Sequence, residues 1–213
     1  MSSKSPAPRP AFDPSGPRPA PPPSALPSTF NFPREYAYPP FYSLQPTLLT
    51  RSAQLRKWSA LIQSYCRFHR IYRLSLIDAV DTPLFHNASI KKRLRLEDVR
   101  VVVTWMAGEE GGWRAEWVDG GGVGKGKIDG GGAVWVWWRR PEEWADVIAA
   151  WVEETGQRGV VLTLWELSQG AGSKGQEFHG MDPEVLQRSL NVLVKRGKAQ
   201  IFGEEDEQGV KFF

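Results

Sequence analysis

Apolar positions recur at three- and four-residue steps in four long windows, and each window predicts an amphipathic helix. In the first, Leu55, Trp58, Leu61, Ile62, Tyr65 and Cys66 form the stripe, with Arg51, Arg56, Lys57 and Arg67 on the other side. Thr50 is a candidate cap, and the helix runs about five turns. In the second, Leu96, Val99, Val103 and Met106 give the stripe. The run Val101-Val102-Val103 argues locally for a strand, because β-branched side chains lose rotamer freedom in a helix. Glu97-Asp98 favours a helix start and Gly108 a stop, so a helix is expected. The third has Trp144, Val147, Ile148, Trp151 and Val152, with Pro141 as its first residue and Gly156 beyond its end. The fourth has Val185, Leu186, Leu190, Leu193 and Val194, opened by Asp182-Pro183 and stopped by Gly197.

Shorter runs fill the gaps. Leu74 to Ile77 reads as a strand, and Thr82-Pro83 opens a helical turn that buries Leu84 and Phe85. Trp113 to Val118 and Ala133 to Trp138 read as two strands around the Gly-rich stretch 120–132. Val160 to Thr163 is a further strand and Leu164 to Leu167 a brief helix. Ala199 to Phe202 and Val210 to Phe213 close the chain as a hairpin. Helix, strand, helix, helix, hairpin thus occurs twice. The expected fold is α+β, mainly α: two tandem winged-helix domains over 47–137 and 138–213, each about 75–100 residues, a workable domain size.

Residues 1–29 have no such pattern. Pro, Ser and Ala dominate, and little there offsets the entropy of ordering, so a disordered Pro-rich arm is expected. Residues 30–46 are different again. Phe30, Phe32, Tyr36 and Tyr38 alternate with Pro33, and Pro39-Pro40-Phe41-Tyr42-Ser43-Leu44-Gln45-Pro46 follows. Two prolines pre-extend the chain toward polyproline II, and rings on a stiff ribbon suit a partner's grooves. Pro39-Pro40-Phe41-Tyr42 also matches the P-P-x-Y ligand of WW domains. The competing reading is a lead-in packed on its own first domain.

Charge divides the chain. Residues 1–30 carry +2, residues 31–137 +5 and residues 138–213 −4, within a net +3. The single cysteine, Cys66, excludes an internal disulfide, fits a reducing compartment and sits in a helical stripe as a small hydrophobe. No run of about 18 apolar residues predicts a membrane span. Lys4 is followed by no apolar core, so no secretory signal is read. A cytoplasmic protein is expected.

Candidate chemistry adds little. Gly121-Gly122-Val123-Gly124-Lys125-Gly126-Lys127 has the spacing of a phosphate-binding loop. Ile128 stands where Ser or Thr would meet Mg²⁺, and a strand follows rather than a helix. His69, His86 and His179 are scattered without metal-ligand spacing, and no Ser–His–Asp arrangement is readable. No enzyme, cofactor or metal is expected. Lys91-Lys92-Arg93-Leu94-Arg95 could meet nucleic-acid phosphates or an acidic membrane. A winged helix invites the nucleic-acid or transcriptional reading, but the second unit's −4 and its acidic run Glu204-Glu205-Asp206-Glu207 oppose phosphate binding.

Several stretches together resemble one family. They are the Pro39–Pro46 segment, Ser64-Tyr65-Cys66-Arg67, Pro83-Leu84-Phe85, Trp138-Arg139-Arg140-Pro141-Glu142-Glu143-Trp144, Leu162-Thr163-Leu164-Trp165-Glu166-Leu167, Glu177-Phe178-His179-Gly180 and Gly209-Val210-Lys211-Phe212-Phe213. In order over 33–213 they resemble vacuolar protein sorting-associated protein 25, the small-subunit family of the ESCRT-II endosomal sorting complex. The resemblance implies a non-enzymatic scaffold of two winged helices that sorts ubiquitinated cargo into multivesicular bodies, recruited peripherally to the endosomal membrane. It implies docking on the two larger subunits, vacuolar protein sorting proteins 22 and 36, with two copies per complex. The residues expected to dock are Pro39, Pro40, Phe41 and Tyr42, with Phe32 and Tyr36 secondary. It also implies that the second winged helix recruits the ESCRT-III subunit charged multivesicular body protein 6 (vacuolar protein sorting protein 20). There Phe178 is either the apolar anchor or core, and Glu204, Glu205 and Asp206 are rim charges. Two departures stand out. Phe32-Pro33-Arg34-Glu35-Tyr36 keeps one proline of a first P-P-x-Y-like motif, and Gly108-Glu109-Glu110-Gly111-Gly112 replaces a basic stretch after the third helix.

Overall fold

The computed structural model describes residues 29–118, 132–203 and 208–213, a mixed helix-and-sheet chain. The Gly-rich run 121–127 and the acidic run 204–207 lie outside the described residues, as do residues 1–28 of the arm. Phe32–Phe213 packs as one compact unit.

Within it the predicted order occurs twice. In the first half, helix α1 (Leu48–His69) leads to strand β1 (Arg73–Ser75), α2 (Leu76–Ala79), a two-residue hairpin β2 (His86–Asn87) and β3 (Lys92–Arg93), α3 (Leu96–Met106), and strands β4 (Ala115–Trp117) and β5 (Ala133–Val136). In the second come α4 (Pro141–Glu154), β6 (Val161–Thr163), α5 (Leu164–Gln169), α6 (Pro183–Lys195), β7 (Ala199–Phe202) and β8 (Gly209–Phe212). Each half owns an antiparallel three-stranded sheet, ordered β1-β5-β4 and β6-β8-β7. In both, the strand after the first helix joins the closing hairpin at its last strand.

The helices form where the stripes predict. In α1, Trp58, Ile62 and Cys66 are fully buried, and burial pushes the Cys66 thiol up to about 12. α3 is a helix in spite of its three valines. Val102 and Val103 point into the core, and that burial outweighs the few tenths of a kcal/mol each loses in helix propensity. Asp182 caps α6, accepting from the Glu184 and Val185 amides at 2.9 and 3.4 Å. Gly197 then takes φ +68° past the helix end.

Four local expectations need correction. Thr50 does not cap α1, which begins at Leu48; its hydroxyl donates to the Thr47 carbonyl instead. The short helix near residue 80 is Leu76–Ala79, capped by Ser75, and Thr82–Phe85 is a turn, with Leu84 and Phe85 buried as expected. The β2–β3 hairpin was not anticipated, because two-residue strands carry no periodicity. Trp113 lies outside β4, turned into left-handed backbone.

The cores of the two halves are continuous. Tyr72, Trp135 and Trp137 belong to the first half, yet they pack with Trp144, Ile148, Val185, Leu186 and Leu190 of the second. Arg188 of α6 lies over Trp135 and Trp137 at 5.3 and 5.8 Å and pairs with Glu116 of β4 at 2.8 Å. Arg67 and Arg139 both reach the Glu177 carboxylate at 2.9 Å, and Arg70 donates to the Glu177 carbonyl.

Arg114 bridges to Glu143 of α4 through two bonds of 2.7 and 3.0 Å, and the Arg140 amide adds a third. Partial burial works against the Glu143 charge, but these donors outweigh it and hold the carboxyl below its usual range. The folded pKa is depressed, so the contribution is present above the unfolded value, about 4.3, and is lost as pH falls through the folded one. Glu143→Gln is therefore expected to lower the thermal midpoint at pH 7 more than at pH 3. An equal loss at both values would rule out the charged pair.

Candidate partner-binding surfaces

The segment Phe32–Tyr42 is organised by the groove it fills. Pro33 precedes one 3₁₀ turn, Arg34–Ala37, and Pro39–Tyr42 is a second. The expected polyproline II ribbon is thus a pair of tight turns. Proline fixes only φ, and φ near −65° serves a 3₁₀ turn as well as an extended chain.

The rings point inward. Phe41 stacks on Trp58 at 4.3 Å, nearly parallel, and is 5% exposed. Its carbonyl accepts from the Trp58 indole at 3.0 Å and from the Gln54 amide at 2.8 Å. Tyr42 meets Trp58 edge-on, and its hydroxyl donates to the Tyr36 carbonyl at 2.9 Å. Burial pushes the Tyr42 hydroxyl pKa upward. Asn87, itself buried, donates to that same Tyr36 carbonyl at 2.8 Å. The Tyr36 hydroxyl donates to the His86 and Pro83 carbonyls, and Phe32 stacks on the Tyr36 ring at 3.9 Å. Lys57 holds Glu35 at 2.7 Å and lowers its pKa.

Phe41 and Tyr42 therefore pack into the chain's own first half, as the lead-in reading expects, and Tyr36 joins them. A WW domain needs the tyrosine of its ligand exposed, which the burial of Tyr42 does not offer. The segment shows Pro33, Arg34 and Ala37 to solvent, and then Tyr38, Pro39 and Pro40 together. The first turn of α1 is held beside them: Gln45 donates to the Pro40 carbonyl, and Arg51 to that of Gln45. That turn exposes Leu48 and Leu49 by 77% and 78%. Their sequence signal is hydropathy alone, because both leucines precede the periodic stripe.

In the second half Phe178 is fully buried, edge-on to Trp151 at 5.5 Å. Of its two readings, this burial supports core. Beside it His179 shares a 2.8 Å hydrogen bond with Ser173, itself buried. The rim candidates Glu204, Glu205 and Asp206 lie outside the described residues.

In this half, exposed apolar residues gather on the outer face of the second sheet. Leu162, Val210, Phe212 and Ala199 face the core. Their neighbours Val161, Lys211 and Gln200 lie side by side on the other face, as do Thr163, Gly209 and Phe202. Val161 and Phe202 close over Gly209, where a Cβ would sit 3.0 Å from the Phe202 ring and 3.3 Å from Val161. Val160, Trp165 and Phe213 are also exposed at this half's surface, and the Lys211 ammonium lies over the Phe213 ring at 5.8 Å. The signal was in the sequence: β6 and β7 keep apolar residues at both parities.

Among the described residues no group of three His, Cys, Asp or Glu could hold a metal ion, and no helix is long and apolar enough to cross a membrane. What the geometry offers is contact surface on a mixed helix-and-sheet unit, such as a subunit of a protein complex presents. Known proteins agree. The family described as ESCRT-II complex subunit matches residues 35–182. Vacuolar protein-sorting-associated protein 25 of Xenopus laevis is 41% identical over 184 residues, covering 86% of this chain and 99% of its own length. That of Homo sapiens is 37% identical over 185 residues, covering 87% and 98%. A crystal structure of subunit VPS25 of the endosomal trafficking complex ESCRT-II superposes with TM-score 0.71 at 28% identity, covering 85% of this chain and 98% of that one. The crystal structure of the endosomal complex ESCRT-II (VPS22/VPS25/VPS36) gives TM-score 0.69 at 27% identity, covering 84% and 98%. The chain belongs to the vacuolar protein-sorting-associated protein 25 family of ESCRT-II subunits.

Proposed function

We propose that the chain is a non-enzymatic scaffold of ESCRT-II, two copies joining each complex with the larger subunits, vacuolar protein sorting proteins 22 and 36. The observation that carries this reading is the likeness to the VPS25 subunit, alone and within the assembled complex, over 85% and 84% of this chain and 98% of the subunit's. Each half is a winged helix, the closing hairpin serving as the wing. The first half docks on the larger subunits through the exposed prolines Pro39 and Pro40 with Tyr38, Leu48 and Leu49, while Phe41, Tyr42, Tyr36 and Phe32 set their shape from beneath. The second half receives an amphipathic helix of the ESCRT-III subunit charged multivesicular body protein 6. Its net charge of −4 favours encounter with a basic helix, and the apolar outer sheet face supplies contact. In this role the protein works in the cytoplasm, held peripherally at the endosomal membrane during sorting of ubiquitinated cargo into multivesicular bodies.

Co-expression with the two larger subunits tests the docking. A stable complex with two copies of this chain is expected on size exclusion with light scattering. Leu48→Ser with Leu49→Ser should reduce recovery of this chain at least about tenfold, while its thermal midpoint stays within a degree or two. Full recovery by the double variant would remove these leucines from the interface. No complex with the wild-type chain would refute the scaffold role.

A further inference from the structure

The loop after α3 holds a tryptophan that folding does not explain. Trp113 has φ +57°, a left-handed conformation that is unfavourable for a bulky side chain. Its ring gains little in return, being 56% exposed. The conformation is nonetheless tightly specified. The Trp113 amide donates to the Gly108 carbonyl at 3.1 Å, Gly112 to Glu109 at 2.9 Å and Arg114 to Met106 at 2.7 Å. Gly111 lies so close to the Trp105 carbonyl that a Cβ would stand 2.2 Å from it. The loop is thus locked against the end of α3, and the lock presents the ring to solvent.

The helix and loop that lead to it carry apolar and acidic residues. On α3, Val101 is exposed and Trp105 half-buried one turn further on. The Trp105 indole donates to the Glu110 carboxylate at 2.9 Å. Glu109 and Glu110 are exposed, and among the described residues neither has an ion-pair partner. The cations next in sequence do not neutralise them. Arg114 is engaged by Glu143, and Arg100 lies about 100° around the helix from Val101.

We propose that Trp113, with Val101, Trp105, Glu109 and Glu110, docks a lysine- or arginine-rich segment of a partner protein. An indole face attracts a cationic head, and two adjacent carboxylates reinforce it. The same carboxylates repel phosphate, which sets nucleic acid and anionic lipid aside as occupants. This surface shares no residue with the two that the scaffold role uses, so it stands or falls without them.

The test uses the full chain, ¹⁵N-labelled, and a short peptide of alternating Arg and Ala at physiological ionic strength. The indole N–H resonances of Trp113 and Trp105 are expected to shift on titration. Trp113→Gly should weaken the peptide about tenfold while the thermal midpoint holds or rises, because glycine adopts this backbone without penalty. Glu109→Gln with Glu110→Gln should also weaken it and flatten its salt dependence. Undiminished affinity in Trp113→Gly, or shifts confined to resonances outside α3 and its loop, would overturn the proposal. So would a fall in that variant's midpoint as large as loss of a core ring produces, which would make the ring structural.

Discussion

Phe41→Ala is expected to lower the unfolding free energy of the whole chain by about 3–5 kcal/mol, the range for emptying a buried phenylalanine site. The ring is stacked on Trp58 and sealed by Tyr42, with hydrogen bonds from Trp58 and Gln54 to its own backbone. Little can collapse into the vacancy, because the neighbours are tethered by those bonds and by Asn87 beneath Tyr36. Urea unfolding followed by circular dichroism gives the number. A loss under about 1 kcal/mol would mean that the segment is only loosely attached and would return Phe41 to the surface. Assembly defects in a Phe41 variant are then secondary to unfolding, so the exposed leucines are the better probes of docking.

The second large effect is expected on the outer sheet face. If the second half receives the ESCRT-III helix as proposed, Val161→Asp with Phe202→Asp should weaken it at least about thirtyfold, some 2 kcal/mol, the scale of an interface hot spot. Both side chains meet over Gly209, so two carboxylates there would charge the middle of the apolar patch. Both are outside the core, and the thermal midpoint should move little. Calorimetry with the full chain and a peptide of the partner helix measures it, at low and high salt. Unchanged binding would place the helix on another surface of this half.

Periodicity made the long helices readable because burial follows it: α4 presents Trp144, Ile148, Trp151 and Val152 to one core. It made α3 readable against local propensity, because Glu97-Asp98 and the i, i+3, i+7 stripe both agreed with the buried face. The 3₁₀ turn at Pro39–Tyr42 is not legible in the sequence for the opposite reason. Two prolines restrict the backbone, but whether the next ring turns inward depends on Trp58, seventeen residues on, whose indole awaits its carbonyl. Phe178 presents the same difficulty. It follows a polar, Gly-containing loop, and only the arrival of Trp151 from α4 makes its position a core one. The outer sheet face depended on strand register, since Val161 and Phe202 become neighbours only when β8 lies between them.

The shared tryptophan core also sets an order of events during synthesis. Trp135 and Trp137 leave the ribosome well before their cover does, because Leu190 and Leu193 of α6 are part of the same cluster. Roughly 60 residues must follow them, which at about 5–20 residues per second takes on the order of 3–12 s. Through that interval two indoles and Tyr72 stand on a nascent sheet with α4 beside them but without α6, which completes their enclosure. The first half therefore cannot complete itself before the second is made, and the growing chain presents a chaperone with a defined apolar target for those seconds.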